Sequence, residues 1–377
     1  MQLVAYGAQD AFLTGNPEIT FFKVVYRRHT NFAMESIRQN FNGSASWGSR
    51  ATATISRNGD LISKCYLEAQ LPNDLTGGNV NWCDSVGHKL IKEVELEIGG
   101  QLIDRHYAEW LEIWSELTLT AEKASGYEAM VGKTHFREQN TIPASGDTVF
   151  VPLQFFFCRN PGLALPLIAM QYHEVKLTFT FESGTNCVKN NSAAPDTISP
   201  ALWVDYVYLD TDERRRFAQV QHNMLVDQLQ YNGGSSSDTM DLTFNHPCKE
   251  LVWVRQVDGH GFDFACNTDN AQGGPILSAM LKLNGHDRFE KRNGAYFHLV
   301  QPYQHHTRCP HKYVYCYSFA LSPEEHQPSG SCNFSRIDNA RLILESENGK
   351  EGTNKVFAIN YNVLRIQSGM AGLAFSN

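Results

Sequence analysis

One short segment of this 377-residue sequence carries residues that could bind a metal. His305, His306, Cys309 and His311 form a His-His-x-x-Cys-x-His pattern, and imidazole and thiolate groups are usual ligands of zinc. Adjacent histidines on a strand, however, point to opposite faces of the sheet, and a structural zinc site usually has paired, well-spaced ligands. Because Pro302 precedes the segment and Pro310 lies within it, a loop with unrelated polar side chains is the favoured interpretation, and we expect no metal.

A second group of ionisable residues surrounds a predicted helix. His106, Glu109 and Glu112 would share one side of this helix. A two-metal site would need matching motifs on partner helices, and the sequence shows only one good helix. We therefore expect a solvated polar face on a helix that packs on a sheet. The residues at helical spacing are Tyr107, Trp110, Leu111, Trp114 and Leu117.

Common catalytic signatures are absent from the sequence. It contains no G-x-S-x-G nucleophile elbow, no Walker loop and no Rossmann fingerprint. It also lacks the His-x-His pair with which a cupin-like metalloenzyme holds its metal on alternate strand residues. We therefore expect a protein that is not an enzyme, with no catalytic residues, no cofactor and no metal, and we keep the cupin-like metalloenzyme as a disfavoured alternative.

Composition, charge and cysteine content exclude further classes of protein. Charged residues make up 19% and hydrophobic residues 42%, as is typical of globular proteins. The net charge of −8 argues against direct nucleic acid binding, which needs clustered Lys and Arg. The apolar stretch 162–170 is shorter than the span of about 20 residues that crosses a membrane, and the N-terminus lacks a signal-peptide pattern. Nine cysteines without a C-x-x-C pair favour free thiols in a reducing compartment.

The elements that must position these residues are mostly short β-strands. Asn-Gly suits a type I′ hairpin because both central residues need a positive φ. Such Asn-Gly and Gly-Gly turn signals lie at 99–100, 232–233, 284–285 and 348–349, among other places. Several runs between the turns alternate apolar with polar residues, which predicts mostly antiparallel sheet. The predicted strands are 51–56, 64–69, 94–98, 176–181, 203–209, 251–254, 280–283, 313–319, 340–344 and 356–366.

The two halves of the chain resemble each other. Four pairs of segments match in the same order, and the spacing within the pairs shrinks along the chain, so the second copy has shorter loops in its later part. Each match alone is weak, but four colinear matches indicate an internal repeat. The pairs are 41–43 with 231–233, 64–69 with 249–254, 96–101 with 281–286, and 204–209 with 359–364.

The repeat divides the chain into three parts. We expect an N-terminal arm in residues 1–30, a first β domain in 31–212 and a second in 213–377, joined by the polar segment 211–219. Domains of this size suit a sandwich or a barrel. The first 30 residues have no counterpart in the second half, so they are either an arm that packs on a neighbour or an extra edge strand.

Four long stretches carry a resemblance to a known family. They include Asn16-Pro-Glu-Ile-Thr-Phe-Phe-Lys23 near the N-terminus and Phe155-Phe-Phe-Cys-Arg-Asn-Pro-Gly162 in the first half. The full stretches are 7–32, 152–175, 333–342 and 360–375. They resemble the major capsid proteins of nucleocytoplasmic large DNA viruses, the group of phycodnaviruses, iridoviruses and mimivirus relatives. Residues 183–200 and 257–275 match nothing in that family and are expected to be variable surface loops.

This resemblance implies an all-β fold and a structural role. The fold would be a double jelly roll: two consecutive eight-stranded antiparallel jelly rolls with short loop helices. A homotrimer of such chains would form a pseudo-hexagonal capsomer of the icosahedral shell. The protein would then lie in the outer capsid shell of the virion, after assembly in the host cytoplasm. Its partners would be neighbouring capsomers, minor capsid and penton proteins and, nearby, the inner viral membrane, with no direct contact to nucleic acid.

The resemblance also implies two groups of assembly residues. An arm at the capsomer base would include Asn16, Pro17, Phe21, Phe22, Tyr26, Arg27 and Arg28. A strand leading into a loop at a domain or subunit boundary would include Arg159, Asn160, Pro161 and Pro166, with 333–342 as its counterpart in the second half. Since jelly rolls also serve as lectins, a carbohydrate-binding surface protein that contacts host glycans is the alternative function.

Overall fold

The first half of the chain builds two antiparallel sheets. The computed structural model describes residues 6–72, 82–133, 148–188, 197–257, 262–264, 274–347 and 352–375. One sheet has the strand order β1-β9-β3-β6, with the short β7 beside β3, and the other has the order β2-β8-β4-β5. Their strands are β1 (Phe32–Gln39), β2 (Arg50–Thr54), β3 (Leu61–Gln70), β4 (Ile91–Ile98), β5 (Gln101–Tyr107), β6 (Thr148–Pro152), β7 (Leu165–Pro166), β8 (Val175–Phe181) and β9 (Ser199–Leu209).

The second half repeats this arrangement. One sheet has the order β10-β18-β12-β15, with β16 beside β12 and β19 beside β18, and the other has the order β11-β17-β13-β14. The strands are β10 (His222–Ser235), β11 (Thr239–Leu242), β12 (Pro247–Gln256), β13 (Ile276–Leu283), β14 (His286–Asn293), β15 (Tyr315–Ser318), β16 (Cys332–Asn333), β17 (Ala340–Ser346), β18 (Thr353–Gln367) and β19 (Met370–Leu373).

The two halves share one topology, which is that of a jelly roll. If β7, β16 and β19, which lie beside the main strand order of their sheets, are set aside, each half pairs its first, eighth, third and sixth strands in one sheet and its second, seventh, fourth and fifth in the other. Three of the four matched pairs of the internal repeat lie in equivalent strands: β3 with β12, the β4–β5 hairpin with β13–β14, and β9 with β18. The fourth pair does not, because 41–43 follows β1 whereas 231–233 lies inside β10. The predicted double jelly roll is therefore confirmed. We call β1–β9 the first roll and β10–β19 the second.

Alternating burial explains why these segments form strands. In β3, Cys65, Leu67 and Ala69 are buried in the first core while Tyr66 and Glu68 between them are only half-buried. In the second roll, β12 is buried on both faces, so another element of the chain must cover its outer face. The two cores are not wholly separate. The second roll places four apolar side chains in the first core, namely Val226, Leu364, Ile366 and Ala371.

Tight turns account for two of the predicted hairpins. Gly99 and Gly100 join β4 to β5 with φ of 59° and 80°, and Asn284 and Gly285 join β13 to β14 with φ of 51° and 80°. The prediction of a turn at 232–233 is wrong. These residues lie inside β10, where the long pairing with β18 holds them extended and a register shift follows Gly233. The predicted turn at 348–349 lies outside the described residues.

Helices are short and lie in the connections. The predicted helix around Trp110 is confirmed, and so is its packing on a sheet. The predicted joint at 211–219 is itself a helix. Asp210 caps this helix, because its side chain accepts a hydrogen bond from the Glu213 backbone at 2.9 Å. Within the described ranges, no helix is long and apolar enough to cross a membrane. The helices of four residues or more are Ala11–Thr14, Val86–Leu90, Ala108–Thr118, Ala121–Val131, Phe156–Arg159, Thr211–Gln219, Gln301–His305, the 3-10 helix Gly184–Cys187 and the π-helix Tyr296–Val300; shorter 3-10 helices are Pro161–Leu163, Leu167–Ala169 and Phe334–Arg336.

Candidate functional site

The N-terminal segment, residues 6–31, carries large apolar side chains that the rest of the chain leaves uncovered. Phe21 is 89% exposed, Phe22 98% and Tyr26 83%. The basic pair Arg27 and Arg28 is exposed beside them. Contiguous exposed apolar side chains on a folded protein mark an interaction site. The structure thus brings the arm residues named from the sequence together on one exposed segment.

Asn16 and Pro17 set the backbone of this segment. The short helix Ala11–Thr14 ends at Gly15, Asn16 has a φ of 50°, and Pro17 follows. Asn tolerates the left-handed conformation, and Pro cannot continue a helix, so the chain leaves the helix without re-forming one. Residues 6–31 contain no strand, which contradicts the edge-strand alternative.

The second group of sequence-predicted residues lies where the two rolls meet. The guanidinium of Arg159 lies 4.7 Å from the ring centroid of Trp114 and 3.7 Å from Asp227 Oδ2 in β10. Arg159, Asn160 and Pro161 line a pocket of about 160 Å³ together with Asp227. Pro166 does not share this pocket, because it is buried in β7 against β3.

The local structure of this segment differs from the prediction of a strand that leads into a loop. Phe156–Arg159 is a helical turn and Pro161–Leu163 a 3-10 turn. Asn160 sits between them, and its side chain accepts a hydrogen bond from the Gly162 backbone at 2.8 Å. The composition of the aromatic run favours a strand. Its side chains instead pack into the first core from a helical turn, so tertiary packing overrides strand propensity.

The helix Ala108–Thr118, which we call the seam helix, joins the rolls. It belongs to the connection between β5 and β6 of the first roll and packs on the outer face of the second roll. The rings of Trp110 and Phe357 lie 5.5 Å apart. The sheet of the second roll contributes the alternate side chains that point away from the second core, including Val252, Val254 and Ile359. This contact is the reason why β12 is buried on both faces.

The acidic side of the seam helix is buried as well. Glu112 is fully buried, accepts a hydrogen bond from Lys312 Nζ at 2.6 Å and lies 2.7 Å from His88 Nδ1. Burial favours the neutral acid, but Lys312, His88 and Lys133 outweigh it and hold the pKa of Glu112 well below its usual value. Lys312 also lies 3.2 Å from Asp84 Oδ2. A charged cluster therefore ties the first roll to the segment before β15.

Two neighbouring carboxylates extend this cluster. Glu109 accepts a hydrogen bond from Lys355 of β18 at 2.9 Å, and Glu116 accepts one from the His311 backbone at 2.9 Å. For both acids, burial raises the pKa, but a neighbouring lysine opposes this effect and the pKa lies below its usual value. The lysine is Lys355 for Glu109 and Lys133 for Glu116. The prediction of a solvated helix face is therefore wrong. His106 lies on β5 rather than on the helix, buried 2.9 Å from Asp104.

The histidine segment first considered for zinc serves a different purpose at His306. This side chain is buried, with Nε2 2.9 Å from Glu250 and Nδ1 2.9 Å from Glu324. Burial lowers its pKa, but Glu250 and the hydrogen bonds to Cys316, Glu250 and Glu324 raise it far above its usual value. His306 is thus a cation between two carboxylates.

The other members of that pattern point elsewhere. His305 ends a helix rather than lying in a loop, and its Nδ1 lies 3.0 Å from the Leu321 carbonyl oxygen. Cys309 is exposed, and the described contact of His311 is its backbone hydrogen bond to Glu116. Among the residues that the structure describes, no three His, Cys, Asp or Glu side chains form a group that could hold a metal ion.

Sequence reasoning missed a buried lysine at the same seam. Lys249 Nζ donates to Asp227 Oδ2 at 3.0 Å and to the carbonyl oxygens of Pro323 and Glu325, and it lies over the ring of Tyr361. Burial lowers the pKa of Lys249 by more than Asp227 raises it. A usable signal was present, because Lys249 and Glu250 stand directly before the apolar run 251–254 of the same strand.

Free thiols, as predicted, account for all the described cysteines. They are Cys65, Cys83, Cys158, Cys187, Cys248, Cys309, Cys316 and Cys332. Burial raises the pKa of the Cys83 thiol to about 12, so this side chain behaves as a small apolar group.

Two family models match successive parts of the chain, one in each roll. Residues 20–210 match the family model of the major capsid protein N-terminus. Residues 213–372 match the model of the large eukaryotic DNA virus major capsid protein.

Several relatives are similar over their full length. The major capsid protein of Pyramimonas orientalis virus is 54% identical to this chain, over 100% of this chain and 99% of that protein. The major capsid protein of Paramecium bursaria Chlorella virus 1 is 42% identical over the same shares.

Solved structures give the same picture. A quasi-atomic model of the PBCV-1 virus capsid contains a chain with a TM-score of 0.84 and 39% identity, covering 95% of this chain and 100% of that one. The Faustovirus major capsid protein has a TM-score of 0.77 over 96% of this chain and 94% of its own, at 12% identity, so that likeness concerns the fold alone.

Proposed function

We propose, since this chain belongs to the major capsid protein family of large eukaryotic DNA viruses, that it assembles as a homotrimer into pseudo-hexagonal capsomers of an icosahedral shell. The single observation that carries this proposal is the pair of jelly rolls with one topology in a single chain. Three chains then supply six similar rolls, and a ring of six can tile a flat hexagonal facet. Cyclic homo-oligomers of this kind are a common form of closed symmetry.

We also propose a division of the chain into an arm, residues 1–30, a first roll, 31–212, and a second roll, 213–377. The strands of the first two sheets lie within 32–209 and those of the other two within 222–373, which supports the division. The arm would make contacts outside its own chain, through Phe21, Phe22 and Tyr26 with the neighbouring Arg27 and Arg28. Candidate partners are adjacent capsomers, minor capsid and penton proteins and the inner viral membrane.

The role we propose for the chain is structural rather than enzymatic. The buried ionisable residues described above are paired with opposite charges, across the seam for Lys312 and Glu112 and within the second roll for Lys249 and Asp227, which is how a scaffold uses them. The reduced cysteines fit assembly in the host cytoplasm before the subunit joins the outer shell of the virion.

The test is the mass and shape of the purified protein. Light scattering should give three times the mass of one chain, unchanged on dilution to nanomolar concentration. Electron micrographs should show hexagonal particles with threefold symmetry. A folded monomer at micromolar concentration would overturn the proposal.

A further inference from the structure

The two rolls differ in how much of their outer face is covered. In the second roll, Val252 and Phe357 of β12 and β18 are buried beneath the seam helix. The equivalent face of the first roll holds Tyr66 of β3, Trp203 of β9 and Phe150 of β6, and all three are only half-buried. The strand pairing places them side by side, since Tyr66 pairs with Trp203 and the rings are stacked 6.3 Å apart.

This half-buried aromatic group, which we call the open face, lies on the outside of its sheet. Its strands alternate, and Leu67 and Val204 on the other side lie in the first core. Phe150 lies 6.4 Å from Tyr66 and extends the group onto β6. Among the described residues, the chain therefore covers one copy of this face with its own helix, while the side chains of the other copy stay only half-buried.

The covering element also occurs twice. The seam helix lies between β5 and β6, and the equivalent connection of the second roll, residues 294–314 between β14 and β15, contains the helical run Tyr296–Val300 and Gln301–His305. We call it the free connection. Its Phe297 is buried in the second core, so the run is held firmly on its own roll.

The free connection presents an apolar side that its own chain leaves uncovered. Leu299 is 40% exposed, Tyr303 80% and Leu321 76%, and Val300 is exposed beside them. Leu321 belongs to this surface because its carbonyl oxygen lies 3.0 Å from His305 Nδ1. The matching side chains of the seam helix, such as Trp110, are buried.

We infer that the free connection of one copy docks on the open face of a neighbouring copy. The contact would repeat between chains the contact that the seam helix makes within a chain. A surface on one roll and its complement on the other roll of the same subunit give a head-to-tail interface between copies, which forms a closed ring when the rotation per contact closes. The inference rests on the proposed trimer and names the surfaces that hold it together.

The first experiment replaces two exposed residues of the free connection. The variant Tyr303→Glu with Leu321→Glu should fold with the far-ultraviolet spectrum and melting temperature of the wild type, yet light scattering should show its mass reduced to a third. The control is Leu277→Glu on β13, a residue 37% exposed and outside both surfaces, which should stay trimeric. A double variant that remains trimeric on dilution like the wild type would overturn the inference.

The second experiment keeps the trimer intact. A photoreactive benzoylphenylalanine placed at position 303 in a mixture of light and heavy-isotope copies should cross-link to peptides from 61–70 or 199–209 of a different copy. Cross-links from an intact trimer to any other surface would refute the docking surfaces while leaving the proposed trimer standing. A wild-type protein that is monomeric would instead refute the trimer itself, and the inference with it.

Discussion

Glu112 shows how single residues hold the two rolls together. A carboxylate that is fully buried is costly unless a cation and hydrogen bonds compensate it. Lys312 and His88 approach it from two separate segments, at 2.6 and 2.7 Å. Such clusters add little net free energy compared with apolar packing, but the loss of one partner is expensive because a buried charge is left behind. The seam therefore tolerates few charge changes.

The replacement Lys312→Met tests this cost. It removes the closest cation from Glu112 and should lower the free energy of unfolding by about 3 kcal/mol, as for other broken buried pairs. The matched control is Lys291→Met, which removes an exposed partner of Glu345 and should cost less than about 1 kcal/mol. Urea unfolding curves measure both values. Equal losses in the two variants would contradict the assignment of Glu112 as a buried charge.

Acid should weaken the same cluster. The pKa values of Glu109, Glu112 and Glu116 are held below normal in the folded chain. Such groups stabilise the fold above the unfolded-state pKa of about 4.3, and this stability is lost as the pH falls through the folded value. His306 has the opposite sign, because its raised pKa gives stability that is fully present below about pH 6.5 and is lost progressively as the pH rises from there through the folded value.

We therefore expect stability to be highest between about pH 4.3 and pH 6.5, to decline above about pH 6.5 as the His306 contribution is lost, and to fall steeply below about pH 4.3. Urea midpoints between pH 7 and pH 3 measure the profile. In Lys312→Met the acid fall should be shallower, because Glu112 loses the cation that depresses its pKa most. An identical acid dependence in the variant and the wild type would show that the cluster does not carry the linkage.

Glycines in different elements have opposite roles. Gly285 adopts a φ of 80° in the β13–β14 turn, whereas Gly126 lies inside the helix Ala121–Val131 with open space where a Cβ would point. Gly285→Ala should destabilise the fold by about 1 kcal/mol through left-handed strain. Gly126→Ala should stabilise it by about 0.5–1 kcal/mol through helix propensity. Thermal melting of both variants measures the pair, and shifts of the same sign would contradict it.

Local patterns predicted the elements well where the chain decides its own conformation. All ten predicted strands overlap strands of the structure, and the turn at Asn284–Gly285 follows from the φ values that it needs. Asn232–Gly233 carries the same local signal but lies in β10, because a long partner strand overrides it. The four-residue helix at Phe156 was missed for a similar reason, since its aromatic side chains are drawn into the core.

The site could be predicted only in part, because its contacts join distant segments. Glu112 looks like a solvated residue in its own helix, and its burial depends on Lys312, which is 200 positions away. No local pattern encodes such a pair. The exposed arm was predictable from Phe21 and Phe22, because the repeat gives that segment no strand partner. Its contacts with other molecules remain a prediction.

At the scale of the molecule, one fold used twice creates both an interior and an unfinished surface. The seam helix buries the outer face of the second roll, and the C-terminal β18–β19 hairpin adds Leu364 and Ala371 to the first core. The two rolls therefore share apolar packing across their contact. The exposed arm, the exposed free connection and the half-buried open face are the apolar surfaces that the proposed assembly would bury.

The arm gives the sharpest test of assembly at this scale. Burying a phenylalanine contributes about 1.5–3 kcal/mol, so two of them can change an association constant by roughly a hundredfold or more. Phe21→Asp with Phe22→Asp removes this contribution from side chains that are 89% and 98% exposed. The melting temperature should change little, because a surface substitution usually alters the free energy of unfolding by no more than about 0.5 kcal/mol. The yield of ordered arrays or shells in electron micrographs should fall sharply.

The control for the arm is Tyr172→Asp, an equally apolar exposed position outside it at 76% exposure. If the arm, rather than general surface apolarity, drives the contact, this variant should assemble as the wild type does. Two results would argue against the arm. Normal assembly of the double variant would show that its phenylalanines make no essential contact outside the chain, and a markedly lower melting temperature would mean that they belong to the fold instead.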